Sequence, residues 1–422
     1  MGRPKLRYGP FSQPAYARFW LAGLLSFTGL WVQTVSRSWM VQELTGSPLL
    51  VALIPVATML PMLFLSLPSG VMADNLDRRR IVLITEATNV LSYIALTALV
   101  AFGAVQVWHI LALSVLNGTA NAVAGPARLA LVPTLVRKDV VRTAVSLSAS
   151  VFNLAQIVGP AIGGVLIARH GTDSALLAGL FFSVPACFLY ASVRTVRTVE
   201  RSRAASPLTN LKTGFVYTLS NPTLRLLMLG GLAVTITLNT WSAMLPTFAD
   251  SALHRGAEAF GTLTLALGAG ALLGSLFIAF VGDRIAHEKI ELGAVLAFGA
   301  AIFAFAVSPW LSTAIAAAAL AGFAATSYFV TNMTVAQMTA SEEYRGRVMS
   351  IRFLVIGTTP LGTLTLGAVA QVVGVREALL GLALLGIVAF SVVRLVTRPR
   401  TAGETVLESP AATAPALPET IP

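Results

Sequence analysis

The sequence predicts an all-α integral membrane protein, on the basis of its low charge, its long apolar runs and the placement of its basic residues. Only 11% of the 422 residues are charged and 56% are hydrophobic, whereas a soluble domain carries about a quarter charged residues. Runs such as 49–69 and 81–102 are predominantly apolar, and about 20 such residues cross a bilayer as a helix. Because backbone groups in lipid must be paired within their own segment, these runs are expected to be helical.

Twelve apolar segments follow one another along the chain and are predicted to be twelve transmembrane helices. The first is too long for the core of a signal peptide and lacks a clear cleavage site, so it is interpreted as a membrane helix. The segments lie at 19–42, 49–71, 80–102, 107–135, 141–168, 174–193, 223–248, 257–281, 290–309, 311–338, 348–371 and 376–396.

The basic residues collect on one side of this arrangement. The side that carries both termini holds nearly all of them, and the other side holds only Arg169, Arg255 and Arg376. The positive-inside rule therefore predicts that both termini are cytoplasmic. The net charge of +11 follows from topology, and no nucleic-acid partner is expected because no soluble domain gathers the basic residues.

The chain is predicted to consist of two six-helix halves, residues 1–195 and 223–397, followed by a disordered cytoplasmic tail, 398–422. The linker 196–222 carries Leu208, Leu211, Phe215 and Leu219 at near-helical spacing, which predicts an amphipathic helix on the membrane surface. A weak internal repeat supports two related halves. Four residues recur 203 positions later, namely Arg142, Val145, Gly164 and Gly171, as Arg345, Val348, Gly367 and Gly374.

The loop after the second segment carries the strongest motif, Gly70-Val-Met-Ala-Asp74-Asn-Leu-Asp77-Arg78-Arg79-Arg80. A glycine, an Asp four residues later and then a basic cluster resemble the signature loop of the major facilitator superfamily. Asp77 stands where that family usually has a glycine, a variant similar to the branch of enterobactin exporters and macrolide-efflux-type proteins. A simple stop-transfer charge cluster is the alternative.

Two further motifs resemble the same branch. Gly159-Pro160-Ala-Ile-Gly163-Gly164 in the fifth segment is similar to a glycine–proline motif of exporters, with ordinary helix packing as the alternative. The run that opens the eleventh segment, Glu342-Glu343-Tyr344-Arg345-Gly346-Arg347, is also similar to this branch.

The resemblance implies a major facilitator fold and a secondary transporter of the bacterial inner membrane. Such a protein would work as a monomer in the lipid bilayer and export a small amphipathic molecule, such as a drug, macrolide or siderophore, using the proton gradient. The alternatives are an importer of a nutrient with this fold and a non-transporting sensor or scaffold. The implied cytoplasmic gate comprises Gly70, Asp74, Asp77, Arg78, Arg79, Arg80, Asp139, Arg345, Gly346 and Arg347.

The family plan also implies a substrate cavity lined by helices one, four, seven and ten. Each candidate is alternatively a hydrogen bond between helices. The candidates are Trp31, Gln33, Asn117, Asn121, Asn239, Tyr328 and Asn332.

Charged residues inside the apolar segments are costly and usually functional. Glu86 either pairs with the nearby cluster at Arg80 or carries the coupling proton. Arg128 and Arg352 are expected to extend toward the cytoplasmic surface, and Arg37 is expected either to pair with Glu43 or to form an outer gate.

No enzymatic activity and no cofactor is predicted. The four histidines have no metal-ligand spacing, and the chain has no phosphate-binding Gly-x-x-x-x-Gly-Lys-Ser/Thr loop.

Overall fold

The computed structural model describes residues 9–193 and 207–397, apart from a few side chains that include those of 66–75. The predicted tail and part of the predicted linker therefore lie outside the described residues. The described chain is helical throughout. Its α-helices are α1 Pro14–Thr45, α2 Pro48–Asn75, α3 Arg78–Ala101, α4 Val107–Leu135, α5 Val141–Ser192, α6 Pro207–Ser220, α7 Pro222–Ile236, α8 Leu245–Thr247, α9 Gly256–Val281, α10 His287–Val307, α11 Leu311–Thr339, α12 Arg345–Ile356, α13 Thr359–Val373 and α14 Val375–Thr397.

Within the described residues, ten helical spans are long and apolar enough to cross a membrane. One of them, Lys138–Ser192, has 55 residues and is divided at Gly171, whose φ of 80° and ψ of 174° are not helical. Helix α2 adds a shorter apolar stretch, Pro48–Met62, at the position of the second predicted crossing. With these divisions the structure accommodates the twelve predicted crossings.

The weak internal repeat corresponds to repeated backbone geometry. Gly171 joins the two arms of α5 with a φ of 80°, and Gly374, 203 residues later, joins α13 to α14 with a φ of 99°. A positive φ is strained for residues with a Cβ, which explains why glycine stands at both corners. The equivalent corners support the interpretation of two related halves.

The seventh and eleventh crossings are interrupted, which the continuous apolar runs did not predict. After α7 the chain forms a 3-10 segment, Leu238–Met244, then α8 and a π-helical turn, Phe248–Ala252. The eleventh crossing breaks between α12 and α13 at Gly357 and Thr358. Irregular backbone at membrane depth is tolerated where protein or water covers it.

The predicted linker contains helix α6, which packs on the start of α12; its position on the membrane surface stays a prediction. The Tyr217 ring stacks on Tyr344, with centroids 4.3 Å apart, and the Tyr217 hydroxyl accepts a bond from the Ser341 amide at 3.2 Å. Phe215 remains 38% exposed, so α6 also keeps an apolar edge. The helix is thus held against the second half, at the motif that opens the eleventh crossing.

Large apolar side chains cover the outer faces of the bundle. Phe181, Phe188 and Phe280 are each more than 70% exposed, which a soluble protein would bury. A bilayer provides the apolar surroundings that these side chains require. The structure therefore agrees with a multi-pass membrane protein.

Candidate transport site and the contacts between the halves

Two ends of the bundle are distinguished by their loops. The basic end carries Asp77, Lys138 and Arg345, and the opposite end carries Gly46, Gly171 and Gly374. The predicted gate lies at the basic end.

The two halves meet closely at the opposite end, through glycines of the repeat. A Cβ on Gly164 of α5 would lie 2.8 Å from the Gly261 carbonyl oxygen of α9. The equivalent Gly367 of α13 packs on Pro48 and Ala52 of α2. Small residues permit such close approach of membrane helices, and both positions were visible in the repeat.

Polar and aromatic contacts also join the two halves at the opposite end. Together with the glycine contacts, they are called the opposite-end seam. The Gln42 amide nitrogen donates to Asp250 at 2.9 Å, and its oxygen accepts from Thr247 at 2.8 Å. The Trp39 ring stacks on Phe260 with centroids 5.1 Å apart. Because Asp250 lies in the π-helical turn, the interrupted seventh crossing brings these atoms to Gln42.

The predicted gate residues at the basic end mostly bond within their own half. Asp77 caps α3 by accepting from the Arg79 amide at 2.9 Å, and Arg79 donates to the Ala191 carbonyl at 2.6 Å. Asp139, a further gate candidate of this half, pairs with Arg137, two residues before it, at 3.0 Å.

The remaining gate residues lie as follows. Arg78 contacts the Ala130 carbonyl at 3.4 Å, and Arg80 forms an exposed 3.6 Å pair with Asp77. In the other half, Arg345 donates to the Gln337 carbonyl at 3.1 Å. Arg347 lies over the Tyr344 ring, and Gly346 faces open space. The surroundings of Gly70 and the side chain of Asp74 lie outside what the structure describes, so a gate that includes them stays a prediction.

The glycine–proline motif of α5 packs against α1. A Cβ on Gly159 would lie 2.5 Å from the Trp31 Cβ and 3.1 Å from the Thr28 carbonyl oxygen, whereas one on Gly163 would lie 3.5 Å from Val32. Pro160 follows Gly159 within the same helix. Only the first of these two glycines therefore leaves no room for a methyl group.

Gly159→Ala is expected to impair transport, and Gly163→Ala is expected to behave like the unaltered protein. The added methyl at Gly159 forces α5 away from α1, and overpacking costs about 1–3 kcal/mol. The initial rate of substrate movement in proteoliposomes, normalised to inserted protein, measures the difference. Equal rates for the two variants would show that the motif is incidental packing.

Glu86 forms a buried ion pair with Arg128, not with the Arg80 cluster. The Arg128 Nη2 lies 3.0 Å from Glu86 Oε2, with side chains 9% and 1% exposed, and Ser26 donates to the same oxygen at 2.8 Å. The guanidinium also lies over the Phe27 ring. The expectation that Arg128 extends toward the surface was wrong because the carboxylate and ring hold it inside.

Arg37 belongs to a second buried polar network in the first half. Its nitrogens donate to Ser114 at 3.3 Å and to Ser92 at 3.5 Å. Ser92 donates to Asn117, which donates to Asn89. The expected pair with Glu43 is absent from the described contacts, since Glu43 accepts from Thr172 instead.

The predicted cavity residues divide into two groups. Gln33 donates to the Leu176 carbonyl, and Asn117 and Asn332 bond to neighbouring helices; Tyr328 is fully buried against Phe390. Gln33, Asn117 and Asn332 therefore make the helix–helix hydrogen bonds of the alternative, whereas the Tyr328 hydroxyl has no partner among the described residues. Cavity lining stays a prediction for all four. Only three candidates are partly exposed, namely Trp31, Asn121 and Asn239.

A buried cluster in the second half was missed by the sequence analysis. Glu291 of α10 is 6% exposed and accepts from the Asn332 amide at 3.0 Å. Arg352, expected near the surface, is 2% exposed and lies over the Phe329 ring. The sequence contained a signal, because Glu291 follows Glu86 by 205 residues, close to the 203-residue spacing of the repeat.

Neither cluster has the composition of a metal site. Within residues 9–193 and 207–397, no three His, Cys, Asp or Glu side chains come together. Two helical halves that close at one end, with buried charges in each, are the architecture expected of a secondary transporter, and a match to a family model shows that the chain belongs to the major facilitator superfamily.

Within this superfamily the chain belongs to the transmembrane secretion effector family, whose model matches residues 6–420. It is 28% identical over 306 residues to the multidrug efflux pump Tap of Mycolicibacterium fortuitum, which covers 68% of this chain and 72% of that protein. It is 24% identical over 288 residues to the staphyloferrin A transporter of Staphylococcus aureus, covering 67% and 72%. The enterobactin exporter EntS of Shigella boydii is 26% identical over 304 residues, covering 68% and 70%.

Solved structures share the fold. A bacterial homologue of the human lysosomal transporter Spinster, in an inward-facing unoccupied conformation, superposes with a TM-score of 0.72 at 14% identity, covering 94% of this chain and 98% of that chain. A bacterial homologue of the iron transporter ferroportin gives 0.65 at 15% identity, covering 91% and 98%. At these identities the similarity establishes the fold alone.

Proposed function

We propose that this protein exports a small amphipathic molecule, such as a drug or siderophore, from the bacterial cytoplasm by alternating access. The opposite-end seam is the observation that carries the proposal. It joins the halves through a limited set of non-covalent contacts that can break during transport. These are close helix packing at glycines, one stacked pair of aromatic rings and the hydrogen bonds of Gln42. The pumps and siderophore exporter among the relatives favour the outward direction over nutrient import.

The basic residues support an orientation in the inner membrane with the basic end and both termini in the cytoplasm. In that orientation the opposite-end seam closes the transporter on the outer side of the membrane. The structure then corresponds to the form that is open to the cytoplasm. Charges such as the exposed Arg80–Asp77 pair then line the side from which substrate enters. The protein acts as a monomer in the bilayer and is not an enzyme.

The proton gradient is proposed to drive the export. A charge moving down the membrane potential gains about 2.3 kcal/mol per 100 mV, and this adds to any pH gradient. The chain carries no nucleotide-binding loop of the kind that hydrolyses ATP, so an ion gradient is the available source of energy.

Comparison of the compounds retained by cells with and without the protein tests the export itself. Compounds depleted only in expressing cells are then loaded into proteoliposomes with an imposed proton gradient. We expect uphill movement that a protonophore abolishes. Accumulation of a compound in expressing cells would contradict export, and transport that a protonophore leaves unchanged would contradict proton coupling.

Asp74→Asn is expected to bias the protein toward the cytoplasm-facing form and to slow turnover without abolishing substrate binding. Asp74 follows the second crossing, where the family plan places it against the N-terminal end of α12 when the outer side opens, and a carboxylate is favourable beside a helix N-terminus. The measurement is labelling of Ser341→Cys, in a Cys187→Ala background, by an impermeant thiol reagent applied from the cytoplasmic side. Unchanged labelling and unchanged transport would show that the loop only anchors topology.

A further inference from the structure

The two buried carboxylates occupy equivalent places in the two halves but have different partners. Glu86 of α3 and Glu291 of α10 lie 205 residues apart, and Arg128 of α4 and Asn332 of α11 lie 204 apart. Arg128 Nη2 lies 3.0 Å from Glu86, and Asn332 Nδ2 lies 3.0 Å from Glu291. A neutral amide thus stands in the second half where a guanidinium stands in the first.

Because Asn332 is neutral, Glu291 has no directly paired cation among the described residues. Among the described residues, no Lys or Arg side-chain nitrogen lies within 4.0 Å of a Glu291 carboxylate oxygen, the distance that defines an ion pair. Glu86, by contrast, has such a partner in Arg128. The charged and titratable groups that face it from other helices are Arg352 of α12, Tyr328 of α11 and Arg394 of α14, and Glu288 lies on its own helix. A buried carboxylate in this position is costly when ionised, and a bound proton removes that cost.

The surroundings of Glu291 are rich in polar atoms that bond to no other described protein atom. They include Asn332 Oδ1, Tyr328 Oη and both Nε and Nη1 of Arg352. Buried polar atoms in native proteins normally find a partner in protein or water. A cluster with this many uncommitted donors and acceptors can accommodate either charge state of the carboxylate.

We propose that Glu291, not Glu86, takes up and releases the coupling proton, an inference that rests on the proposed proton-driven export. Uptake converts the carboxylate to the neutral acid and cancels its attraction for Arg352. Arg352 lies on α12, which begins with the Arg345–Arg347 motif and carries α6 on its surface. The charge on Glu291 therefore acts on the helix that bears the predicted cytoplasmic gate. The Glu86–Arg128 pair, whose two charges balance, remains ionised as a structural element.

Infrared difference spectra of the purified protein, taken between acidic and alkaline buffer, detect the proton directly. We expect a protonated-carboxyl band in the unaltered protein and its loss in Glu291→Gln. The variant keeps an oxygen for the Asn332 amide, so its fold is expected to be retained. The matched control is the double variant Glu86→Gln/Arg128→Gln, which removes a balanced pair and should keep the band. A band that survives Glu291→Gln, or that disappears in the control, would overturn the assignment.

Transport gives the second readout. Glu291→Gln should lose the stimulation of efflux by a proton gradient while still exchanging labelled for unlabelled substrate, and Asn332→Arg, which recreates the ion pair of the first half, should do the same. Proton-driven efflux retained by Glu291→Gln, or stimulation that follows sodium instead of protons, would contradict the proposal. The spectra require no substrate, so they decide the proton site independently of transport. If the protein transports none of the compounds offered, that result contradicts the proposed function and leaves the test of Glu291 intact.

Discussion

Gly164→Leu should abolish transport while leaving membrane insertion intact. Gly164 lies so close to Gly261 of the other half that even a Cβ would come within 2.8 Å of its carbonyl oxygen. A leucine there pushes α5 and α9 apart and opens the seam, and overpacking costs about 1–3 kcal/mol. Since about 1.4 kcal/mol changes the ratio of two states tenfold, the protein is expected to remain open on the outer side.

The rate of efflux and the labelling of Ser47→Cys by an impermeant reagent from outside, in a Cys187→Ala background, measure this shift. Ser47 contributes to the seam through a 2.7 Å bond to Gln371, so its position should become more reactive. Gly381→Leu on the exposed face of α14 is the matched control, because nothing lies within 4 Å of a Cβ there. Normal efflux by Gly164→Leu would show that the seam does not separate during transport.

The membrane fold could be predicted from sequence because the bilayer itself imposes the rules. Span length, internal pairing of the backbone and the side on which Arg and Lys collect are local properties. Even the corners at Gly171 and Gly374 were visible as a repeat, since a positive φ restricts both to glycine. The breaks in the seventh and eleventh crossings were not predicted, because Asn239 and Thr358 lie in runs that are long and apolar enough to be interpreted as single crossings.

The residues that pair with the buried charged side chains could not be predicted from local sequence properties. Glu86 lies nearer in sequence to Arg80, yet its partner Arg128 comes from α4. Helices that are apolar on every face give no periodic signal for which face points inward, so the sequence does not reveal which helices bring charges together. Glu291 was overlooked, and the burial of Arg352 was not predicted, for a related reason: each lies near the basic end of its segment, where a charge normally reaches water.

The Glu86–Arg128 pair gives the second large expected effect. Its side chains are almost inaccessible, and the carboxylate is held by Arg128 Nη2 and Ser26. Breaking a buried pair by removing one partner costs about 3–5 kcal/mol, because the remaining charge is left uncompensated, whereas replacing both partners is often neutral. An exposed pair contributes only about 0–1 kcal/mol. The Arg80–Asp77 pair, with side chains 82% and 54% exposed, is therefore a matched control within the same helix.

Arg128→Met is accordingly expected to be strongly destabilising, and Glu86→Gln/Arg128→Met to recover most of the loss. Thermal unfolding of each purified variant in one detergent, followed by tryptophan fluorescence, gives the order of stability. Arg80→Met should unfold close to the unaltered protein, because its charge remains in water after the change. The coupling between the two positions follows from comparing the single and double variants. If Arg128→Met unfolds no earlier than Arg80→Met, the native protein does not hold this ion pair, and Glu86 returns as a candidate for the coupling proton.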